Sequence, residues 1–378
     1  MKKIGLFCVV CLLLAACSQT KKIDVTVTNS SAIDRSGELV EIPWQAVAGK
    51  LALAEGMQVI VTDPAGKQVP YQLVKNGAEQ VQALLFPATV AAGQSAVYSV
   101  APGTPETFEP RVYGRFVPER KDDFAWENDK AAFRMYGPAL EATGEISNGI
   151  DIWVKKTDKL VIDKWYKDDL AGVASYHADH GEGLDCYKVG RTLGLGALAP
   201  YANDTIWLGN NYVKQEVLDN GPLRVTFRLT YAPFDVVGET VTETRTISLD
   251  AGSQLNKVSE HFAMQAPRMT VASGIVLRPE EGGVTAFDAQ GGYAAYAEPE
   301  TADGIIYVGM VSPSSFTDVK TACGHLLALG EYGQDTGYTY YTGGGWSQAG
   351  FETPESWFAY VKDFAARVQQ PLTVTVGK

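Results

Sequence analysis

The stretch Val241–Leu249, VTETRTISL, alternates so that Val241, Glu243, Arg245, Ile247 and Leu249 fall on one face of an extended chain. A turn, DAGSQ at Asp250–Gln254, follows it. The chain then resumes as LNKVSEHF, Leu255–Phe262, with Leu255, Lys257, Ser259 and His261 sharing a face. Two runs of period two joined by a glycine-containing turn predict a long antiparallel hairpin. Charged side chains sit in the middle of its surface.

The same grammar extends in both directions. From Ile23 to about Pro102 the segments IDVTVTN, MQVIVTD and SAVYSV alternate or run apolar between the turns PAGKQ and AAGQ. They predict a small N-terminal β-sandwich over residues 23–102. APGTPETFEP, Ala101–Pro110, with its three prolines, supplies a linker at 103–110. Beyond it the strands lengthen, and residues 111–378 read as a large antiparallel β-sandwich ending in the strand LTVTV. One helix interrupts the pattern, in TPESWFAYVKDFAARVQQP. Thr353 caps it, Pro354 suits its first turn, Glu355 complements its dipole and Pro371 stops it. The expected class is all-β with one short C-terminal helix.

The first residues, MKKIGLFCVVCLLLAACSQT, combine two lysines, a short apolar run and small residues before Cys17. That is the build of a secretion signal over residues 1–17, too short to span a bilayer. LAAC at Leu14–Cys17 looks like a lipobox, with Cys17 as the lipid-bearing residue. The expected product is an outer-membrane lipoprotein, touching the membrane only through its anchor. Ser18–Lys22 carries no acidic run, which favours the periplasmic side. Cys186 and Cys323 remain, either as a disulfide or as two free thiols. No paired-cysteine spacing specifies zinc or an iron–sulfur cluster. Net charge is −12 and the basic residues are scattered, which excludes nucleic acid as a natural partner. A local basic cleft for an anionic sugar remains compatible with that charge.

Three stretches carry chemistry. FAWENDKAAFRMYGPAL, Phe124–Leu140, read as one strand, places Trp126, Asn128, Lys130, Arg134 and Tyr136 on one face. An indole, an amide, two cations and a phenol together suit an acidic sugar: stacking, hydroxyl contacts and a grip on carboxylate or sulfate. DKLVIDKWYKDD, Asp158–Asp169, reads as a strand leading to Lys164, Trp165 and Tyr166. Lys164 or Tyr166 is a candidate acid or base there, and a plain sheet edge is the alternative. SYHADHGEGLDCY, Ser175–Tyr187, sets His177 and His180 three apart, on one side of a tight turn favoured by Gly181 and Gly183. Acid/base work is the first reading of that pair. The second is a divalent metal ion held by His177, His180 and Asp185. The third is a structural loop. No other cofactor is specified: nucleophile elbow, P-loop and dinucleotide fingerprint are all absent. GYTYYTGGGW, Gly337–Trp346, reads as a loop at the rim of the cleft.

Taken together, VPERKDDFAWENDKAAFRMYGPAL, NGIDIWVKK, LVIDKWY, YHADHGEGLDCYKVG, NGPLRVTFRLTY and ISLDAGSQLNKV resemble the exported proteins grouped as domain of unknown function 4861. The resemblance runs from about Val112 to the C-terminus. It implies a galactose-mutarotase-like β-sandwich, a setting among polysaccharide-degradation lipoproteins, and dehydration of oligosaccharides ending in a uronic acid. The hairpin with Glu243, Arg245 and His261 is similar to the sugar-facing sheet of such sandwiches. No catalytic residue transfers from the family, so roles rest on chemistry.

Elimination from a uronate needs its carboxylate neutralised, a base for the C5 proton and an acid for the C4 oxygen. Arg134 with Asn128, or Arg245, meets the first need. His177 or His180 meets the second, and Tyr176, Tyr166 or the other histidine the third. The substrate contacts expected are Trp126, Asn128, Arg134, Tyr136, Lys164, Glu243, Arg245 and His261, with an acidic oligosaccharide as partner. Whether the same machinery runs as a dehydratase or a polysaccharide lyase depends on what C4 carries. Hydrolysis by two carboxylates roughly 5–10 Å apart is the rival, with Glu127, Asp129, Glu182 and Asp185 as candidates. Mutarotation or epimerisation, and a non-catalytic oligosaccharide-binding lipoprotein, complete the alternatives.

Overall fold

The computed structural model describes residues 21–53 and 56–377, so the leader and Cys17 lie outside the described residues. Val241, Glu243, Arg245, Ile247 and Leu249 are all buried, on the strand Glu239–Asp250. It pairs antiparallel with Leu255–Ala263, placing Arg245 opposite Glu260 and Thr244 opposite His261. The hairpin is the middle of a nine-stranded sheet, flanked by Arg224–Tyr231 on one side and Tyr338–Trp346 on the other. Two five-stranded sheets pack onto its inner face and share one apolar core with it. The first is centred on Arg268–Val276. The second runs Val112–Val117, Asp123–Asn128, Ala131–Met135, Asp151–Lys155, Gly183–Leu184. This second sheet carries the candidate site. The all-β reading holds, with every strand pair antiparallel.

A smaller sandwich packs over its own core, and one strand from far along the chain completes it. Thr373–Val376, expected to close the large sandwich, pairs instead with Ile23–Thr28 at the edge of the small one. Leu372, Val374 and Val376 pack on the small core. The strand Ala83–Val90 serves both cores: Leu84, Phe86, Ala88 and Val90 face the small one, while Ala83 and Leu85 join the large one.

The C-terminal helix, Pro354–Gln369, is capped by Thr353, whose hydroxyl accepts from Ser356 N, with Pro354 in the first turn. It is not alone. Trp44–Leu51 is helical, and so is Ile162–Leu170, which the sequence reading takes for a strand. A short apolar run fits either period. Here the buried residues, Ile162, Trp165 and Tyr166, follow helical spacing. Val161 offers no cap of its own. Glu127, from the sheet beneath, accepts from Val161 N at 2.7 Å and Ile162 N at 2.8 Å, so a distant carboxylate satisfies the helix's first donors. Lys155 Nζ, 2.7 Å from the same carboxylate, balances its charge. Cys186 and Cys323 are free thiols, and burial pushes the Cys186 thiol up to about 12. Among the described residues no helix is long and apolar enough to cross a membrane.

Candidate active site

The stretch Phe124–Leu140 is not one strand. It folds back at Asn128–Lys130, where Asn128 Oδ1 accepts from Lys130 N at 2.8 Å and Ala131 N at 3.1 Å. The reversal sets Phe133 opposite Trp126 and Ala132 opposite Glu127. Face parity therefore inverts across the turn. Trp126 goes into the large core, stacked on Phe133 and bonded through its indole N–H to Asn256. Asn128 is buried and donates to Asp250 O and Ser253 O at 2.7 Å each. Both side chains are therefore spent inside the sandwich and do not share a face with Arg134, contrary to the single-strand reading. Arg134 instead shares the outer face with Asp123 and Glu127. The helix Ile162–Leu170 and the loop after it cover that face, closing a second apolar cluster that includes Trp153, Trp165, Tyr166 and Tyr176.

Beneath this cover Arg134 gathers carboxylates. Its Nε and Nη2 donate to Asp151 Oδ2 at 2.9 and 2.5 Å, and Nη2 also donates to Asp185 Oδ2 at 2.8 Å. Asp123 lies 3.8 Å from Nη1, and the Tyr176 hydroxyl 3.3 Å from it. Three buried carboxylates thus face one guanidinium. Burial pushes Asp123 up to about 7 and Asp185 well above its usual range, with Asp151 adding repulsion in both cases. Arg134 is fully engaged by the protein's own carboxylates, so it holds the site together rather than gripping a substrate.

Two groups of this cluster reach outward. Tyr136, half-buried, donates its hydroxyl to Asp151 Oδ2 at 2.9 Å. Burial and the Asp151 charge hold its phenol well above the ordinary tyrosine range, so it keeps its proton. His177, with 53% of its side chain exposed, sets Nδ1 3.0 Å from Asp185 O and 3.5 Å from Asp185 Oδ2. That bond occupies Nδ1 and turns Nε2 to solvent. Tyr136 is placed by Gly137, where an added Cβ would lie 1.8 Å from Asp122 O. Gly137→Ala is expected to cost about 1–3 kcal/mol through forced backbone displacement, read from the denaturation midpoint, and to move Tyr136 off Asp151. An unchanged midpoint would show that the chain crossing yields freely.

The remaining expected residues scatter. His180 is exposed and meets only Ser175 O, at 3.1 Å. It lines a shallow cleft with Lys164, Trp165, Tyr176 and Glu182. Lys164 is tied to Glu182 at 2.9 Å. Tyr166 is buried under the helix with its hydroxyl 3.4 Å from Asp123, so it is removed from any substrate, and Tyr176 is buried on Trp153. The metal set is not assembled: Asp185 is committed to Arg134, and His180 points to Ser175 O. Among the described residues no three His, Cys, Asp or Glu side chains converge to hold an ion.

Glu243 and Arg245 share a face as expected, but that face is the sandwich interior. Arg245 is enclosed by Glu243 and Glu260, each at 2.6 Å, and by Asn148 Oδ1 at 3.1 Å. His261 sits on the opposite, exposed side. The hairpin therefore presents no joint sugar-facing surface. Burial pushes Glu260 up to about 8. Asp123 and Glu260 both hold protons in the folded chain that ordinary carboxyls release near pH 4. Their stabilisation is complete below that unfolded value and is lost as pH rises through about 7 to 8. Glu260→Gln is expected to flatten the upper part of that loss. Denaturation midpoints across this range check it, and an unchanged slope would count against the assignment.

Sequence reasoning passed over Asp123, Asp151 and Arg120. The alternation in DIWVK does put Asp151, Trp153 and Lys155 on one face, which was the available signal for Asp151. Arg120 lies with its guanidinium 5.3 Å over the Tyr176 ring and 3.8 Å from Asp169. It is the least committed guanidinium beside the cluster.

An alpha-mannosidase from Enterococcus faecalis V583 is 14% identical, with a TM-score of 0.46 over 95% of this chain and 46% of that one. A glycosyl hydrolase family 38 protein from Enterococcus faecalis is 13% identical, with a TM-score of 0.47 over 95% of this chain and 48% of that one. The chain spans just under half the length of each. Among curated proteins, Uncharacterized protein P7 of Formosa agariphila is 33% identical over 281 residues, covering 70% of this chain and 69% of that one. The family described as Domain of unknown function (DUF4861) matches residues 27–374, nearly the whole length, and the chain belongs to that family.

Proposed function

We propose that the protein is a carbohydrate-active lyase of the dehydratase type, acting by proton abstraction and elimination on oligosaccharides that carry a uronic acid. The observation that carries this reading is the shared clamp. Tyr136 is held by the Asp151 carboxylate and His177 by the Asp185 backbone carbonyl, and the side chains of both aspartates bond the same Nη2 of Arg134. One phenol that keeps its proton and one imidazole with a free nitrogen form an acid and base pair on a common frame.

In the elimination, His177 Nε2 takes the C5 proton and the C5–H electron pair forms the C4–C5 double bond. The C4–O bond breaks, and Tyr136 gives its proton to the departing oxygen. A hydroxyl at C4 leaves as water, and a glycosidic oxygen leaves as the shortened chain. The resulting phenolate and imidazolium exchange a proton through solvent to restore the start. Arg120 is the guanidinium available to neutralise the substrate carboxylate, which acidifies the C5 proton. Asp151 and Asp185 act as positioning residues.

Purified protein mixed with uronate-ended oligosaccharides should raise the ultraviolet band of a 4,5-unsaturated uronate, with loss of water seen by mass. No absorbance and no mass change across a broad panel would sink the proposal. New reducing ends without absorbance would favour hydrolysis instead.

A further inference from the structure

We infer a second sugar subsite, built for an anionic pyranose, in the cleft between Lys130, Gln254 and Trp346. The inference rests on the preceding reading only for the kind of chain that would occupy it. The cleft is a shallow groove open to solvent where the strand Asp151–Lys155 meets Tyr338–Trp346, and Ile152, Val154, Lys155, Gly344 and Gly345 also line it. It is separate from the cleft beside His180, with which it shares no lining residue.

Its chemistry points to a ligand. Gln254 is 8% exposed, and its Oε1 is buried without any hydrogen-bond partner. A buried acceptor left unpaired is a standing demand for a donor. A sugar hydroxyl supplies one. The backbone around Gln254 is fixed, since its own N–H donates to Tyr360 Oη at 3.1 Å. Lys130 is exposed at the mouth and enters no ion pair among the described residues, whereas the Lys155 ammonium is spent on Glu127 and Asn128 O. Lys130 is thus the free cation of the cleft and fits a carboxylate or sulfate. Gly344 leaves bare backbone between these groups. A Cβ there would lie 2.5 Å from Tyr307 O and 2.8 Å from the Ile152 side chain.

Lys156 joins the cleft to the candidate active site. Its ammonium lies 5.6 Å over the Trp346 ring and 2.5 Å from Asp179 in the histidine loop. The strand pair formed by Val154 with Leu184 runs between the two places. An acidic oligosaccharide of several residues, seated with one sugar at His177, extends past Lys156 to Gln254. The cleft therefore selects chain length and a charged group remote from the reacting bond.

The test uses tetragalacturonate, with cellotetraose as the neutral control, on the full chain. Acetylation of Lys130, followed by mass spectrometry, should fall several-fold when tetragalacturonate is added and stay constant with cellotetraose. Gln254→Leu should weaken tetragalacturonate binding about tenfold, the worth of one hydrogen bond to a buried acceptor, with the denaturation midpoint held or raised. Protection should persist in His177→Ala. Unaltered Lys130 reactivity at saturating tetragalacturonate, or unchanged binding by Gln254→Leu, would overturn the subsite. Turnover without protection would leave the lyase reading standing and remove the subsite. Protection without turnover would do the reverse.

Discussion

Arg134→Met is expected to lower folding stability by about 3–5 kcal/mol, the usual loss when one partner of a buried ion cluster is removed. It is also expected to abolish turnover. The substitution leaves Asp151, Asp185 and Asp123 facing one another with no guanidinium between them. Like charges in a dry setting find relief by taking up protons, so the loss depends on pH. Asp123 and Asp185 already hold protons more tightly than ordinary carboxyls. The variant should therefore be hit hardest above about pH 8 and recover part of its stability toward about pH 5. Arg134→Lys keeps the charge but loses the planar fork that spans two carboxylates, so it should fall between methionine and wild type. Denaturant midpoints at the two pH values measure all of this. A midpoint for Arg134→Met equal to wild type would show that Arg134 does not hold the cluster.

His177→Ala and Tyr136→Phe should each reduce turnover by about 10²–10⁴-fold, the range for losing a positioned acid or base. The imidazole is half exposed and bonded only to Asp185. Its removal should leave the midpoint within about 0.5 kcal/mol of wild type. Tyr136→Phe withdraws a donor from buried Asp151 and should cost about 1 kcal/mol as well. The two can be told apart by substrate. A substrate whose C4 leaving group needs no proton should restore Tyr136→Phe and leave His177→Ala dead. His180→Ala serves as the contrast, since its ring meets only a backbone carbonyl. Full activity in His177→Ala would take the histidine out of the mechanism.

The sandwich was legible because period-two alternation survives wherever one face is buried, as in Val241–Leu249. The C-terminal helix was legible because its cap, proline and stop are all local. What escaped were features whose cause lies far along the chain. Ile162–Leu170 is capped by Glu127, roughly a turn and two strands earlier, and no local residue announces it. The turn at Asn128 moves Trp126 and Arg134 to opposite faces, which residue type alone does not reveal. Arg134, Tyr136, His177 and Asp185 do meet, as far as a mixed basic and aromatic stretch and a histidine loop could suggest. Asp151, which bonds both Arg134 and Tyr136, stands in a run that reads as ordinary strand. Glu243 and Arg245 were misplaced for the opposite reason, because a buried charge network and a ligand surface have the same composition.

The pairing of Thr373–Val376 with Ile23–Thr28 also orders events in time. During synthesis Ile23–Thr28 gains one neighbour early, in Ser95–Pro102, but its other neighbour emerges only after the strands of the large sandwich. The small sandwich must then wait with one edge bare until Thr373–Val376 is made, a period when that edge can recruit a foreign strand. Closure of the small sandwich is thereby made conditional on Thr373–Val376, the strand most distant from it in sequence.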